Sequence, residues 1–397
     1  MWTGRRVVLG VSGGIACYKS CILARRLTEA GAGVDVVMTR AAQEFVRPVT
    51  FEALTGRPVL TSLWEPGRAL SHVRLGQDAD LIIIAPATAH VIARYAQGLA
   101  DDFLTSLLLA STAPVLLAPA MNDEMFGAEA TRANLARLRE RATIVGPATG
   151  ALAEGPSDRP GRMSEPEAIL AHAERLMRRR ASRLDGKRII VTAGPTRESL
   201  DPVRVITNRS SGRMGFALAA AAWTRGADVL LISGPSALAA PEGVEVMQVE
   251  STADLAAAVE AALPDADVLV MAAAPADFRP ARAGNVKMPR SQGEVSLAME
   301  PTPDVLASTA GCRKPGAIIV GFALETGNPL ARAREKLARK QLDLIVVNDA
   351  LEAGAGFEVT TNRVTLVGRD GSVTELPLAS KQDVAHAILD AVEARLG

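Results

Sequence analysis

The feature that most restricts the fold of this chain is a restart. Short apolar runs bounded by glycine alternate with helical stretches through the first half, and after "HAERLMRRRASRLDGKR" (172–188) the alternation begins again at "RIIVTAGPT". Strands flanked by glycine and spaced by helices pair in parallel and bury both faces of their sheet. The sequence therefore predicts two α/β domains, 1–183 with a doubly wound parallel sheet and 184–397 Rossmann-like. In the first, strands fall near 5–11, 34–38, 80–85 and 114–118, with helices near 14–30, 88–96, 101–111 and 125–140. In the second, "DVLLISG", "DVLVMAAA", "AIIVGFALET" and "LDLIVVND" follow as strands, then a hairpin turning at Asp370-Gly371 and a helix near 380–395. Sheets of this kind bind ligands beyond the carboxyl ends of their strands. In the first half those ends read "GVSGG", "VVMTRAA", "IIIAPATAH" and "LLAPAMN".

Charge and composition exclude several classes. Lys+Arg and Asp+Glu balance at 44 each, so no global field recruits nucleic acid or an anionic membrane. No apolar run approaches the ~18 residues of a spanning helix. The opening "MWTGRRVVLGVSGG" enters a strand at once, leaving no room for a signal peptide, and a cytoplasmic location is expected. Cys17, Cys21 and Cys312 lack metal spacing and an even count, which fits a reducing compartment, and four scattered histidines argue against a His/Cys metal site.

The loop "GVSGGIACYK" sets Ser12, Gly13 and Gly14 between the first strand and first helix, where small residues let backbone N–H groups meet a phosphate. Any tight turn here also wants glycine. The spacing is not GxGxxG, and the second strand ends in Thr39 where a ribose-binding acid is expected of a nicotinamide site. Hydroxyls at Ser12, Thr39 and Thr88 suit FMN in a flavodoxin-like sheet better. His72 and Asn122 stand at strand edges as candidates, each with a plainer reading: an ordinary surface histidine, and a helix N-cap. Met121 and Met125 read equally well as core filler.

These stretches converge. "GVSGGIACYK", "SHVRLG", "APATAHVIARYAQGLADDFL" and above all "PAMNDEMF" resemble the flavin-dependent cysteine decarboxylases, a flavodoxin-like family that carries FMN. The resemblance implies FMN contacts from Ser12, Gly13, Gly14, Thr39, Ala85, Pro86, Thr88 and Met121. It makes His72 the active-site base, gives the substrate carboxylate to Asn122, and puts Arg162 and Met163 in a flap over the substrate. FMN would oxidise the thiol-bearing carbon to a thioaldehyde, providing an electron sink for CO2 loss, and later return the hydride. In the family a flap cysteine supplies the final proton; here the flap reads "GALAEGPSDRPGRM", with Glu154 at that position. Glu154 acts as donor with a raised pKa, another group donates, the reaction stops at an ene-thiol, or Glu154 is merely a solvated loop residue.

"TAGPTRESLDPVRVITNRSSGRMGFALAAAA" (192–222) leads from a strand into a helix starting at Ser210-Ser211-Gly212, with Arg204, Asn208, Arg209 and Arg213 nearby. Hydroxyls and guanidinium groups at a helix start suit a phosphate or carboxylate, although solvated arginines on a surface loop give the same pattern. Asp277 and Phe322 mark strand ends, Lys287 and Arg290 follow in "NVKMPR", and Lys336 and Lys340 share a helical face. Cations converging with an acid suggest a triphosphate with Mg²⁺, without a Walker loop.

This half resembles phosphopantothenate-cysteine ligase, through "AGPTRE", "DPVR", "TPDVLA", "GFALET", "LDLIVVND" and "GAGFEV". The resemblance gives the substrate and its acyl-nucleotide to Asn208 and Arg204, and catalytic roles to Asn208 and Lys287. It puts Ala273, Asp277, Asp304, Val305, Leu306, Ala307, Phe322, Lys336 and Lys340 on the nucleotide. Lys287 opens a lysine-x-lysine-lysine motif whose later cations have become Pro289 and Arg290. Together the two resemblances imply a bifunctional enzyme of coenzyme A biosynthesis. It would join 4'-phosphopantothenate to L-cysteine with CTP and Mg²⁺, then decarboxylate with FMN to 4'-phosphopantetheine. They also imply homo-oligomers, with decarboxylase trimers and ligase dimers. Two other classes stay open: an active ligase whose first half is only a flavin-binding assembly module, and a nicotinamide oxidoreductase, which the missing ribose acid disfavours.

Overall fold

The computed structural model describes residues 1–65, 70–288, 296–325, 329–349 and 359–396. The chain divides into two compact units, Met1–Met177 and Arg178–Gly397.

In the first unit β1 (Arg6–Val11), β2 (Gly33–Met38), β3 (Leu81–Ala87), β4 (Val115–Pro119) and β5 (Ala142–Ile144) form one sheet in the order β2-β1-β3-β4-β5. Every pairing is parallel. This is the flavodoxin-like order, with its switch point between β1 and β3. Helices α1 (Cys17–Glu29), α2 (Pro48–Thr55), α3 (Ser71–Asp78), α4 (Ala89–Gln97), α5 (Phe103–Ala110), α6 (Asp123–Gly127), α7 (Glu129–Leu138) and α8 (Pro166–Arg178) complete it. Strand side chains alternate between two cores: Val7, Leu9 and Val11 join Leu23, Phe51 and Ile169, while Val8 joins Ile92, Leu104 and Leu135. With both faces covered, β3 is buried along its whole length.

Three helices of this unit, α2, α3 and α8, were hidden from the apolar pattern. In α8 the charged run "HAERLMR" carries an inner stripe of Ile169, Ala173 and Leu176, so part of the expected junction is packed helix. The single helix expected near 125–140 is two, because Ala128 adopts φ −58°, ψ 137° directly after Gly127 and parts α6 from α7. His72, expected just before a strand, lies inside α3.

The second unit holds β6 (Arg188–Ala193), β7 (Arg197–Ser199), β8 (Val205–Thr207), β9 (Asp228–Ser233), β10 (Glu245–Gln248), β11 (Val268–Met271), β12 (Phe278–Pro280), β13 (Met299–Pro301), β14 (Ile318–Glu325), β15 (Leu344–Asp349), β16 (Thr361–Gly368) and β17 (Val373–Ser380). Its helices are α9 (Arg213–Thr224), α10 (Thr252–Ala262), α11 (Val305–Ser308), α12 (Pro329–Arg339) and α13 (Lys381–Glu393). The large sheet runs β10-β9-β6-β11-β14-β15-β16-β17, parallel as far as β15, with the β16–β17 hairpin antiparallel at its edge. Its first six strands follow the Rossmann order, and the switch point falls between β6 and β11. The hairpin turns at Asp370-Gly371 as expected, with Gly371 at φ 84°. Two short antiparallel pairs, β7–β8 and β12–β13, stand outside this sheet. Among the described residues no helix is long and apolar enough to cross a membrane.

Candidate active sites

In the first unit the candidate residues sit on loops at the carboxyl ends of β1 to β4. Ser12 is 1% exposed; its hydroxyl donates to the Pro86 carbonyl at 2.7 Å and accepts the Thr88 N–H at 3.0 Å. The β1 and β3 loops are thus braced together, and Ser12 offers a ligand a rigid loop rather than a free hydroxyl. Ala85 and Pro86, expected to touch the cofactor, are buried with their carbonyls occupied by Ser20 and Ser12. Gly13 is required by close approach: a Cβ there would lie 2.5 Å from that of Ala41. Gly14 is open apart from the Thr88 methyl, and Thr39 caps the turn behind it by accepting the Ala42 N–H.

Asn122 fills its plainer role and keeps half its amide for another. Its Oδ1 accepts the N–H groups of Glu124 and Met125, capping α6, while Nδ2 donates to Glu154 Oε1 at 3.4 Å. Met121 donates its N–H to Gly161 O at 3.0 Å, so the flap's return is stitched to the "PAMN" loop. Arg162 pairs with Glu165 at 2.7 Å. Met163, assigned by the resemblance to the substrate cover, is instead 1% exposed inside the core. Its carbonyl accepts from the buried Lys19 ammonium at 2.8 Å. The His72 ring meets Phe103 edge-on at 6.2 Å, and its Nδ1 is buried without a partner among the described residues.

In the second unit the switch point opens into a cleft of about 480 Å³. Its walls are the start of α9, the loop after β11, the turn into α11, the inner ends of β14 and β15, one face of α12 and the start of α13. Gly212, at φ 79° and with a built Cβ 3.2 Å from the Gly194 nitrogen, lets α9 start against the β6 loop. Asn208 donates through Nδ2 to the carbonyls of Ala274 and Pro275 at 3.2 and 3.0 Å. Lys336 donates to Phe322 O at 2.9 Å, and Lys340 pairs with Asp304 at 2.9 Å. Burial works against the Asp304 charge, but Lys340 outweighs it and holds the carboxyl below its usual range. Lys381 is pushed down to about 8, first by burial and then by the charge of Arg213.

A family model described as Flavoprotein matches residues 1–178, and one described as DNA/pantothenate metabolism flavoprotein C-terminal domain matches 184–396. The coenzyme A biosynthesis bifunctional protein CoaBC of Vibrio cholerae is 45% identical over 398 residues, covering 99% of each chain. Its counterpart from Mycobacterium tuberculosis is 47% identical over 403 residues, covering 98% of this chain and 96% of its own. The chain belongs to the CoaBC family. It is a bifunctional decarboxylase and ligase of coenzyme A biosynthesis, and its first half is a flavoprotein domain. A crystal structure of the C-terminal domain of a CoaBC protein covers 54% of this chain and 97% of its own, at 41% identity and a TM-score of 0.47.

Of the ligase residues expected in this CoaBC chain, the cleft gathers Asn208, Ala273, Asp277, Asp304, Val305, Leu306, Phe322, Lys336 and Lys340. Three others fall outside its lining. Ala307 donates its backbone N–H to Asp304, and the exposed Lys287 lies on the loop after β12. Arg204, expected on the substrate, donates through Nε and Nη2 to Asp201 and through Nη2 to the Met288 carbonyl. Arg290 and Pro289 lie outside the described residues. Sequence reasoning missed Lys381 and Asn362, which also line the cleft. They sit on the hairpin and at the start of the last helix, outside the quoted motifs, and only the fold brings them to the site.

Proposed function

We propose that the second unit activates the carboxylate of 4'-phosphopantothenate with CTP and Mg²⁺ as an acyl-cytidylate and transfers it to the amine of L-cysteine. The first unit then decarboxylates the product with FMN, giving 4'-phosphopantetheine. The supporting observation is the cleft at the β6/β11 switch point, where Asn208, Asp277, Lys336 and Lys340 meet. Charge grows on pyrophosphate as it leaves; Lys336, Lys340 and Lys381 line the cleft to offset it. Lys336 is already oriented by the Phe322 carbonyl and Lys340 by Asp304, so little reorganisation accompanies the step. Among the described residues no three acidic, histidine or cysteine groups form a metal cage. Mg²⁺ carried in on the nucleotide's phosphates would meet the Asp277 carboxylate on the cleft wall.

In the first unit Gly13, Gly14, Thr39 and Thr88 fit FMN: the glycines give its phosphate close backbone approach, and the hydroxyls stand at strand ends. Bound FMN supplies the two-electron oxidation and its reversal that give the cysteinyl carboxylate an electron sink. His72 takes a proton as base, and Asn122 orients the substrate carboxylate. Asn122 Nδ2 holds Glu154 by Oε1, and the Glu154 carboxyl, beside the residue that orients the substrate, is the donor of the final proton. Ile15, Tyr18 and Ile22 leave an apolar face exposed beside α1, which supports a homo-oligomer. The free Cys17, Cys21 and Cys312 support a reducing cytoplasm. Pyrophosphate release by the purified protein tests the ligase reading. It should require phosphopantothenate together with CTP, and release that ignores phosphopantothenate would contradict it.

A further inference from the structure

We propose that Asp201 and Arg204 form a clamp on Met288 that positions Lys287 for the ligase reaction, an inference that rests on the ligase reading given above and on the catalytic role the resemblance gives Lys287. The Asp201 side chain is fully buried. Its Oδ1 accepts the N–H groups of Val203 and Arg204, both at 2.9 Å, closing a turn at 201–204. Its Oδ2 accepts Arg204 Nε at 2.9 Å, Arg204 Nη2, and the Met288 N–H at 3.2 Å. Arg204 Nη2 also donates to the Met288 carbonyl at 3.0 Å. One ion pair therefore holds both backbone polar groups of a residue 87 positions away. A third tether runs from Gly284 N–H to Leu200 O at 2.9 Å.

Lys287 lies between these tethers, exposed and outside the cleft lining. A lysine ammonium is a point charge on a flexible stem, so its reach depends on where its backbone is held. The Asp201 carboxylate has no open oxygen: five N–H contacts occupy it, and the Arg204 hydrogen bonds lead in holding it far below the usual carboxylate range. It can bind neither metal nor substrate in this state, and its remaining work is mechanical. Arg204 is by the same geometry a positioning residue, where the resemblance made it a substrate contact.

Asp201→Asn tests the clamp with little change of shape. An asparagine oxygen at Oδ1 can keep the turn, while its NH2 group would face the N–H donors of Arg204 and Met288 and open the clamp. In the full-length protein, with phosphopantothenate, L-cysteine, CTP and Mg²⁺, pyrophosphate release should fall about tenfold in kcat, with KM for CTP moving less than about threefold. The same substitution in a Lys287→Ala background should cost less than about twofold, because the clamp acts through Lys287. Equal losses in both backgrounds, or no loss in either, would overturn the proposal. If Asp201→Asn does not fold, Arg204→Lys serves: it keeps an ion pair but loses the fork that reaches Met288. Its loss should also vanish in Lys287→Ala, whereas a raised KM for phosphopantothenate in both backgrounds would return Arg204 to the substrate and sink the clamp. Wild-type protein that releases no pyrophosphate would overturn the reading of the second unit, and the clamp with it.

Discussion

Asn122 Nδ2 donates to Glu154 Oε1 at 3.4 Å, so the loop after β4 and the flap at 148–162 meet through one amide and one carboxylate. Glu154 holds the position where the flavin-dependent decarboxylases it resembles carry a cysteine. The contact sets that exposed carboxyl beside the residue assigned to the substrate, and a proton donor and a solvated loop glutamate both fit the position.

Replacing Glu154 by Gln keeps size and the amide contact while removing the acid. Formation of 4'-phosphopantetheine should fall roughly 10²-fold, the lower end for lost acid catalysis, with ligase turnover unchanged. Single-turnover product analysis would separate the two, and undiminished phosphopantetheine would assign the proton to another group.

Asn122 can be divided into its two halves. Asn122→Asp retains the Oδ1 cap of α6 but sets a carboxylate against Glu154, so decarboxylation should drop with little change in melting temperature. Asn122→Ala should lose both, destabilising the first unit by about 1 kcal/mol as well. Thermal melts beside CO2 release distinguish them, and an active Asn122→Asp would remove Asn122 from the chemistry.

How much of this was legible in sequence depends on distance along the chain. The strand ends of both sheets could be read because parallel strands buried on two faces are continuous apolar runs. Glu154 and Asn122 could be singled out as positions, but not their contact, since nothing local encodes a pairing between a loop and a flap. Arg204 was placed on the substrate by resemblance, and no local pattern announces that the fold also brings Met288 and a buried Asp201 to it. Lys381 was invisible because its significance comes only from the cleft it completes.

Lys381 gives nucleotide binding a pH dependence. Its folded value of about 8 reflects burial and Arg213, so the cation that favours an anionic ligand is present below that pH and lost above it. CTP affinity measured without cysteine should weaken as pH rises through about 8, and Lys381→Met should flatten that limb. An unchanged limb in the variant would assign it elsewhere.

His386, on α13, makes the second unit acid-sensitive. Burial foremost, with the charges of Arg178 and Arg225, lowers it from 6.5 to about 4 against the weaker pull of Asp390 and Asp383. The unfolded chain then binds more protons between those values, so stability is intact above 6.5 and falls as pH drops toward 4. The loss should approach about 3 kcal/mol. Urea unfolding across this range should lose that slope in His386→Leu; a retained slope would contradict the assignment.

The most direct measurement is a mass spectrum of the products when purified protein receives 4'-phosphopantothenate, L-cysteine, CTP and Mg²⁺ without oxygen. Accumulation of 4'-phosphopantetheine is the expected result and means that a flap without cysteine still completes the reaction. A halt at phosphopantothenoylcysteine, or at an ene-thiol lying two hydrogens below phosphopantetheine, would contradict the account and leave the first unit an incomplete decarboxylase or a flavin-binding assembly module.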